Sequence, residues 1–433
     1  MTPLSALERR VLLGLTLDPA RLTPGEISHP GIRWASLRAA AGRHGVAPLV
    51  SRGLRALARV ETLPAAAMTL RDHCHALYVQ NLARNTHIFA ELARVLEPLR
   101  RAGIPVILLK GAALARALFG DIGLRYMGDV DLLVPEDARA PALGVLQALG
   151  YHLVPGAPAD LRAQARRAGL LVPGPGPASA ELTAQLYERY HFHYYLERDR
   201  QPFPIELHWH IVKPGRGVAI DDLWREARAV RVGAIDALCL RPEHLLLHLS
   251  LHLAMDDYAQ LRLARWVDVH MAVLKQPIDW TYLWSTADRH HAARALGVAL
   301  DFARRVLDTP VPAPPHAVLD RLDRALVAVL GRPWTGGRPL PLPDRVPLHQ
   351  TLTWTVLRRA QWADVPRRLY RWLASFPEAN RRLPERYRGS ELMNLLYALQ
   401  PSRLARVARR ARGGPRSAPG AVDAAILEAT RST

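Results

Sequence analysis

The chain has 433 residues, 49% hydrophobic and 22% charged; this is the balance of a folded protein of two or three domains and excludes a mainly disordered one. No run reaches the roughly 18 apolar residues of a membrane span, the opening MTPLSALERRVLLGL carries a glutamate and two arginines with no cleavage site after it, and Cys74 and Cys239 form no metal-spaced pair, so a cytoplasmic chain with reduced thiols and no secretory signal is expected. The net charge of +19 is almost entirely arginine, since only Lys110, Lys213 and Lys275 are lysine; that usage fits coding bias in a GC-rich genome, and the positive field attracts polyanions, although arginines spread so evenly do not favour a dedicated nucleic-acid surface.

Residues 1–100 carry helical periodicity, with Trp34, Leu37, Ala40 and Val46 inside His29 to Ala58, and Leu77, Ile88, Leu92, Val95 and Leu99 inside Thr69 to Ala102. Gly103 is placed to stop the second helix. The run Ile104-Pro105-Val106-Ile107-Leu108-Leu109 has the length and apolarity of a buried strand and leads through Lys110-Gly111-Ala112 into a helix that Gly120, Asp121 and Gly123 end. A strand over Val130 to Val134, a helix over 138–149 and a short strand over Tyr151 to Val154 follow. The Pro/Gly-rich stretch 155–180 reads as a loop or insertion. His191 to Glu197 and Pro204 to Val212 read as a hairpin across RDRQPF, and from Asp221 to about residue 400 the pattern is helical, with breaks at 309–315 and 332–347. From Ser402 the chain is arginine-rich and then Gly/Pro/Ser-rich. No internal repeat is present.

The chemistry is concentrated in two strands and a turn. In Gly128-Asp129-Val130-Asp131-Leu132-Leu133-Val134, alternate side chains share a face, so Asp129 and Asp131 lie together while Val130 and Leu132 face a core. Two adjacent carboxylates repel, and a hard divalent cation bound to substrate phosphates resolves the repulsion; the bland alternative is a solvated strand end. The segment Ile205-Glu206-Leu207-His208-Trp209-His210-Ile211 alternates strictly, with Glu206, His208 and His210 on the polar face. If it lies beside the first strand, Glu206 becomes a third carboxylate, and three carboxylates suit two-metal phosphoryl chemistry. Lys110-Gly111-Ala112 at a strand-to-helix junction offers backbone N–H groups and a glycine to a phosphate.

Together these residues resemble the DNA polymerase β-like nucleotidyltransferase superfamily. More narrowly, Ile107 to Gly111, Arg125 with Asp129 to Val134, Leu149-Gly150-Tyr151, Ile205 to Trp209, Leu245 to His252, Arg265 to Asp268 and Ile278-Asp279-Trp280 are similar to a bacterial family of uncharacterised nucleotidyltransferases, over roughly residues 30 to 315. The resemblance implies an α+β fold, a polymerase β-like nucleotidyltransferase mixed sheet with flanking helical domains. It implies metal ligands and catalytic carboxylates at Asp129, Asp131 and Glu206, with nucleotide bound by Lys110, Gly111, Ala112 and Arg125. Ala112 stands where the superfamily commonly has a serine hydroxyl, and the spacing from Gly111 to Asp129 is longer than usual.

The expected organisation is an N-terminal helical region over 1–85, a catalytic core over 86–215, a helical domain over 216–400 and a basic, disordered tail over 401–433. The expected reaction is transfer of an NMP from an NTP to an acceptor hydroxyl with Mg2+ or Mn2+. The acceptor is a small molecule, peptide, protein or RNA end. The alternative is a catalytically inert relative that binds nucleotide or a partner protein.

Arg125 reads either as a bidentate clamp on the triphosphate or as one more surface arginine. Lys110 reads either as a phosphate counter-charge or as a structural partner of a D-x-D aspartate. His244, His248, His252 and Asp256 recur every four residues and lie along one helical face; packing, with His248 or His252 hydrogen-bonded, is favoured over a zinc site. His208 reads as a supporting group at the site or as packing, and His191 and His193 receive no role. Trp266 and Asp268 read as packing with a cap or ion pair. Arg403 to Arg412 is a weakly amphipathic basic segment, either a solvated tail or a contact for RNA or an acidic membrane.

Overall fold

A computed structural model describes residues 4–154, 183–185, 187–188, 191–212, 218–232, 235–254 and 262–312, with positions 318, 319, 323, 324, 327, 328, 330, 331 and 334. The chain divides into two units, 1–342 and 343–433. The second unit, the loop expected over 155–180, the break at 332–347 (apart from Trp334), Asp256 and the basic tail all lie outside the described residues.

The described part of the first unit opens with helices α1 (Ala6–Leu17), α2 (Pro24–Ile27), α3 (Trp34–Arg43), α4 (Ala47–Leu57) and the long α5 (Ala65–Arg101). The single helix expected over His29 to Ala58 is two, parted at His44–Val46, where Gly45 has φ +69°. Gly103, at φ +71°, closes α5 as the sequence predicts. Strand β1 (Ile107–Leu108), α6 (Lys110–Ala117), β2 (Val130–Leu133), α7 (Arg139–Ala148), β3 (His152–Leu153), β4 (His193–Glu197) and β5 (Ile205–His208) follow. Then come α8 (Ile220–Arg225), β6 (Arg228–Val232), β7 (Ile235–Cys239), and helices α9 (Pro242–His252), α10 (Leu263–Lys275), α11 (Trp280–Arg289) and α12 (Ala293–Val306).

The strands form one mixed sheet in the order β3-β4-β5-β2-β1-β7-β6. β2 runs parallel to β5 and antiparallel to β1, and β4–β5 is the hairpin expected across RDRQPF. The β6–β7 hairpin departs from the helical reading of residues beyond Asp221. Its arginine- and alanine-rich sequence satisfies helix propensity, but Val230 pairs with Ala237 and Val232 with Ile235, and sheet packing decides. The elements also cross two expected domain boundaries: α5 runs through residue 85, and the sheet includes residues beyond 215.

One face of the sheet is apolar. Leu108, Val130, Leu132, Val134, Leu196, Ile205, Leu207 and Trp209 pack against Ile88, Leu92, Val95 and Leu99 of α5 and against Ala142 and Leu146 of α7. Strand alternation sends the intervening residues to the other face. Asp131, His193, Tyr195, Glu206 and His208 therefore share it, a consequence of the core pattern rather than of any local preference.

Candidate active site

Parallel pairing of β2 with β5 puts Asp131 opposite Glu206 in register, with Val130 opposite Ile205. Asp131 is 1% exposed. Its Oδ1 accepts from Lys110 Nζ at 2.8 Å and lies 3.1 Å from His208 Nε2, which is also 3.2 Å from Glu206 Oε2. A proton on that nitrogen makes His208 a bridge between the two carboxylates. Asp131 Oδ2 is buried with no hydrogen-bond partner. Among the described residues, the donor atoms that converge within 4.8 Å of one another are those of His193, Glu206 and His208, and the orphaned Asp131 oxygen belongs to the strand beside them.

Electrostatics tie Asp129 to the same cluster. Its pKa is raised, first by burial and then by the charges of Asp131 and Glu206, against the pull of Lys110. Asp131 goes the other way. Burial opposes ionisation, but Lys110 and His208 hold the carboxyl well below its ordinary range. Lys110 is raised because Asp131, Glu206 and Asp129 outweigh its desolvation, and the hydrogen bonds of His208 to Asp131 and Glu206 likewise raise that imidazole against burial. The cluster is thus a set of carboxylates compensated from within by one lysine and one histidine.

Lys110 occupies the first position of α6 with φ +39°, a region costly for a residue with a Cβ. Its Nζ contact with Asp131 helps hold that backbone in place. α6 has no side-chain N-cap bond, so the N–H groups of its first turn have no such partner. A Cβ on Gly111 would come within 3.0 Å of both Arg125 Nη1 and Met127 Cγ. A side chain there would push Arg125 Nη1 and Met127 aside by a few tenths of an ångström, whether or not a phosphate approaches. The Ala112 methyl is 4% exposed and packs in the hydrophobic core, so any contact of this residue with a phosphate runs through its backbone N–H.

Arg125 also differs from the expected free clamp. Its Nε and Nη2 donate to Asp268 Oδ1 and Oδ2 at 2.8 Å each, with both side chains buried. The fork that would grip a phosphate already grips α10 and joins the sheet to the C-terminal helices. Lys110, Gly111, Arg125, Tyr126, Asp129, Arg262 and Arg265 line a cavity of about 230 Å³ beside this pair. The cavity reaches Asp129 and places three arginines around a volume suited to a few phosphate groups.

Two histidines beside the cluster, His193 and His248, are ones that the sequence pattern leaves without a role or assigns to packing; His244, on the same helix as His248, bonds Tyr282 rather than the cluster. His193 pairs in register with His208, and its Nε2 lies 4.0 Å from Glu206 Oε2. His248, on α9, is 2% exposed and neither ring nitrogen has a hydrogen-bond partner; the expectation from sequence is a hydrogen bond to either His248 or His252. Burial and the neighbouring Lys110 charge push its pKa well below the ordinary value. His244 bonds Tyr282 Oη at 3.1 Å and is pushed down to about 4, first by burial and then by Arg241. Trp266 stacks on Phe302 at 3.7 Å between centroids, the packing expected of it. The four-residue histidine spacing was visible in the sequence, but the direction of that face is set by tertiary packing.

The family of uncharacterised nucleotidyltransferases matches residues 30–308. The chain belongs to that family. The matched region contains every residue of the cluster, from Lys110 to Asp268. As a nucleotidyltransferase, the protein is a transferase with a mixed sheet at its centre, and no helix among the described residues is long and apolar enough to cross a membrane. A similarity extends to the solution structure of the antibiotic-resistance factor ANT(2'')-Ia, at 11% identity and a TM-score of 0.30, covering 50% of this chain and 96% of that one. No curated protein matches the chain.

Proposed function

We propose that this nucleotidyltransferase moves an NMP from an NTP to an acceptor hydroxyl, with Mg2+ or Mn2+ held by Asp129, Asp131 and Glu206. The observation that carries the reading is the in-register pair Asp131 and Glu206 on parallel strands, with Asp131 Oδ2 buried and unpartnered. When bound, the metal supplies Lewis-acid stabilisation to the phosphoryl oxygens. The chain's own residues supply the rest. Lys110 keeps Asp131 ionised, and His208 holds Asp131 and Glu206 in a fixed relation. Arg262, Arg265 and the Nη1 edge of Arg125 bring positive charge to the cavity that Asp129 borders, which favours the triphosphate there. The acceptor is a small molecule, peptide, protein or RNA end.

One observation favours the inert nucleotide- or partner-binding alternative: Lys110 already neutralises Asp131 without a metal. Pyrophosphate release and label transfer separate the two readings, measured with each NTP, Mg2+ or Mn2+, and a lysate as acceptor source. The enzyme reading expects both signals from the wild type and neither from Glu206→Gln. Nucleotide-dependent thermal stabilisation without pyrophosphate, under every metal and acceptor, supports the inert alternative instead.

A further inference from the structure

Beside the carboxylates, the open face of the sheet carries a second donor set. His193, Glu206 and His208 each offer one ligand atom, and these atoms all lie within 4.8 Å of one another. Strand pairing builds the group. β4 and β5 run antiparallel with His193 opposite His208, and Glu206 lies two residues before His208 on the same face. The rings of His193 and His208 are 4.6 Å apart between centroids. The side chains of His193 and Glu206 are 13% and 17% exposed, which leaves a route for a hydrated ion, while His208 is anchored beneath them at 2%. The Nδ1 atoms of His193 and His208 are buried without hydrogen-bond partners, and so is Asp131 Oδ2 on the adjacent strand. The Nε2 atoms of His193 and His208 face Glu206 Oε2 at 4.0 and 3.2 Å, so an ion bound there takes the place of the proton that otherwise bridges His208 to the carboxylates.

We infer that His193, Glu206 and His208 form a binding site for a borderline transition-metal ion of the zinc class. Two imidazoles and one carboxylate are the donors such ions prefer, whereas magnesium favours oxygen alone. Asp131, in register with Glu206, lies beside the group, its Oδ1 3.1 Å from His208 Nε2. Glu206 is shared with the carboxylate set of the proposed transferase, but cation binding by the two imidazoles requires no nucleotide and no turnover.

Co2+ serves as the probe, titrated into the metal-free full-length protein and followed by its visible d–d absorption, with Zn2+ and Mg2+ as competitors. The wild type is expected to take up one equivalent that Zn2+ displaces and a large excess of Mg2+ does not. His193→Ala, at a partly exposed position, and His208→Gln are each expected to weaken binding by at least ~100-fold, beyond the loss from an outer-shell partner. His152→Ala, an exposed histidine on the edge strand, leaves it unchanged. If His208→Gln fails to fold by circular dichroism, His193→Ala decides the matter alone. Absence of stoichiometric uptake overturns the site, as does uptake that survives His193→Ala. Loss in Glu206→Gln but in neither histidine variant assigns the ion to the carboxylates and also overturns it. Failure of nucleotidyl transfer with every acceptor refutes the transferase reading without altering the Co2+ result.

Discussion

Two buried charge clusters lie a short way apart in this protein and are built on opposite plans. Arg125 and Asp268 form a one-to-one pair, two parallel hydrogen bonds of 2.8 Å, with each carboxylate oxygen taken. Around Asp131 the account does not close. Three carboxylates share Lys110 and His208, one carboxylate oxygen has no partner, and His248 packs near them with both nitrogens unpaired. The first arrangement is what a structural joint between two lobes requires. The second is costly in a dry interior, because unsatisfied polar atoms forfeit hydration and receive nothing for it. That contrast between a closed cluster and an open one supports the proposal that a ligand binds at the open one.

The largest expected effect contrasts the two aspartates of the D-x-D strand. Asp129→Asn and Asp131→Asn should each lower pyrophosphate release by orders of magnitude, because an amide is a poor ligand for a hard cation. Their stabilities should diverge. Asp129 carries a raised pKa from burial and like charge, so its asparagine variant should melt at or above the wild-type temperature. Asp131 is the partner of buried Lys110, so its variant should melt lower. Relief of carboxylate repulsion alone would raise both melting temperatures. Parallel melting temperatures for the two variants would therefore show that Lys110 does not bind Asp131 as described.

The closed pair should respond as a joint. Asp268→Ala leaves the guanidinium of Arg125 buried and unpaired, at a cost of about 3–5 kcal/mol in denaturant unfolding. The double change Arg125→Met with Asp268→Leu should recover much of that loss, because apolar side chains of similar volume have no charge to desolvate. Nucleotide affinity of the folded double variant then reports how far Nη1 of Arg125 serves the cavity. An Asp268→Ala variant as stable as the wild type would remove the distinction between the two clusters.

How much of this was legible in the sequence follows from the range of each interaction. The carboxylate face was legible because period-two alternation in Asp129 to Val134 and Ile205 to Ile211 is a local pattern, and a parallel register then places Asp131 opposite Glu206. The β6–β7 hairpin was hidden by residues with good helix propensity. Arg125 with Asp268 spans 143 positions, so a sequence offers an arginine and an aspartate but no reason to join them. Gly111 was visible as a turn glycine, but its neighbours, Arg125 Nη1 and Met127, are known only from packing. His248 was hidden among leucines, in a helix buried on nearly every side, where periodicity does not say which face meets the sheet.

The smallest expected effect concerns protons and sharpens the contrast from the side of the helical lobe. His208, among carboxylates, is drawn up in pKa, whereas His270 on α10 is pushed down to about 4, first by burial and then by Arg21. His270 Nδ1 lies 2.8 Å from Thr309 Oγ1, whose hydroxyl also donates to the Ala303 carbonyl, and Asp308 is the charge nearby that favours protonation. The ring is therefore neutral in the folded state at pH 7. In the unfolded chain it titrates near the ordinary 6.5, so between 6.5 and about 4 the unfolded state binds more protons than the folded one. Stability must then fall as pH falls through that window, by at most about 1.4 kcal/mol per pH unit for a single group. His270→Gln keeps a hydrogen-bonding side chain beside Thr309 and cannot titrate. Its urea midpoint should depend less steeply on pH than that of the wild type between pH 4 and 6.5, and equally above pH 7. Identical slopes in the acid window would mean that His270 is protonated in the fold, and that the helical lobe holds a buried charge where burial and Arg21 disfavour one.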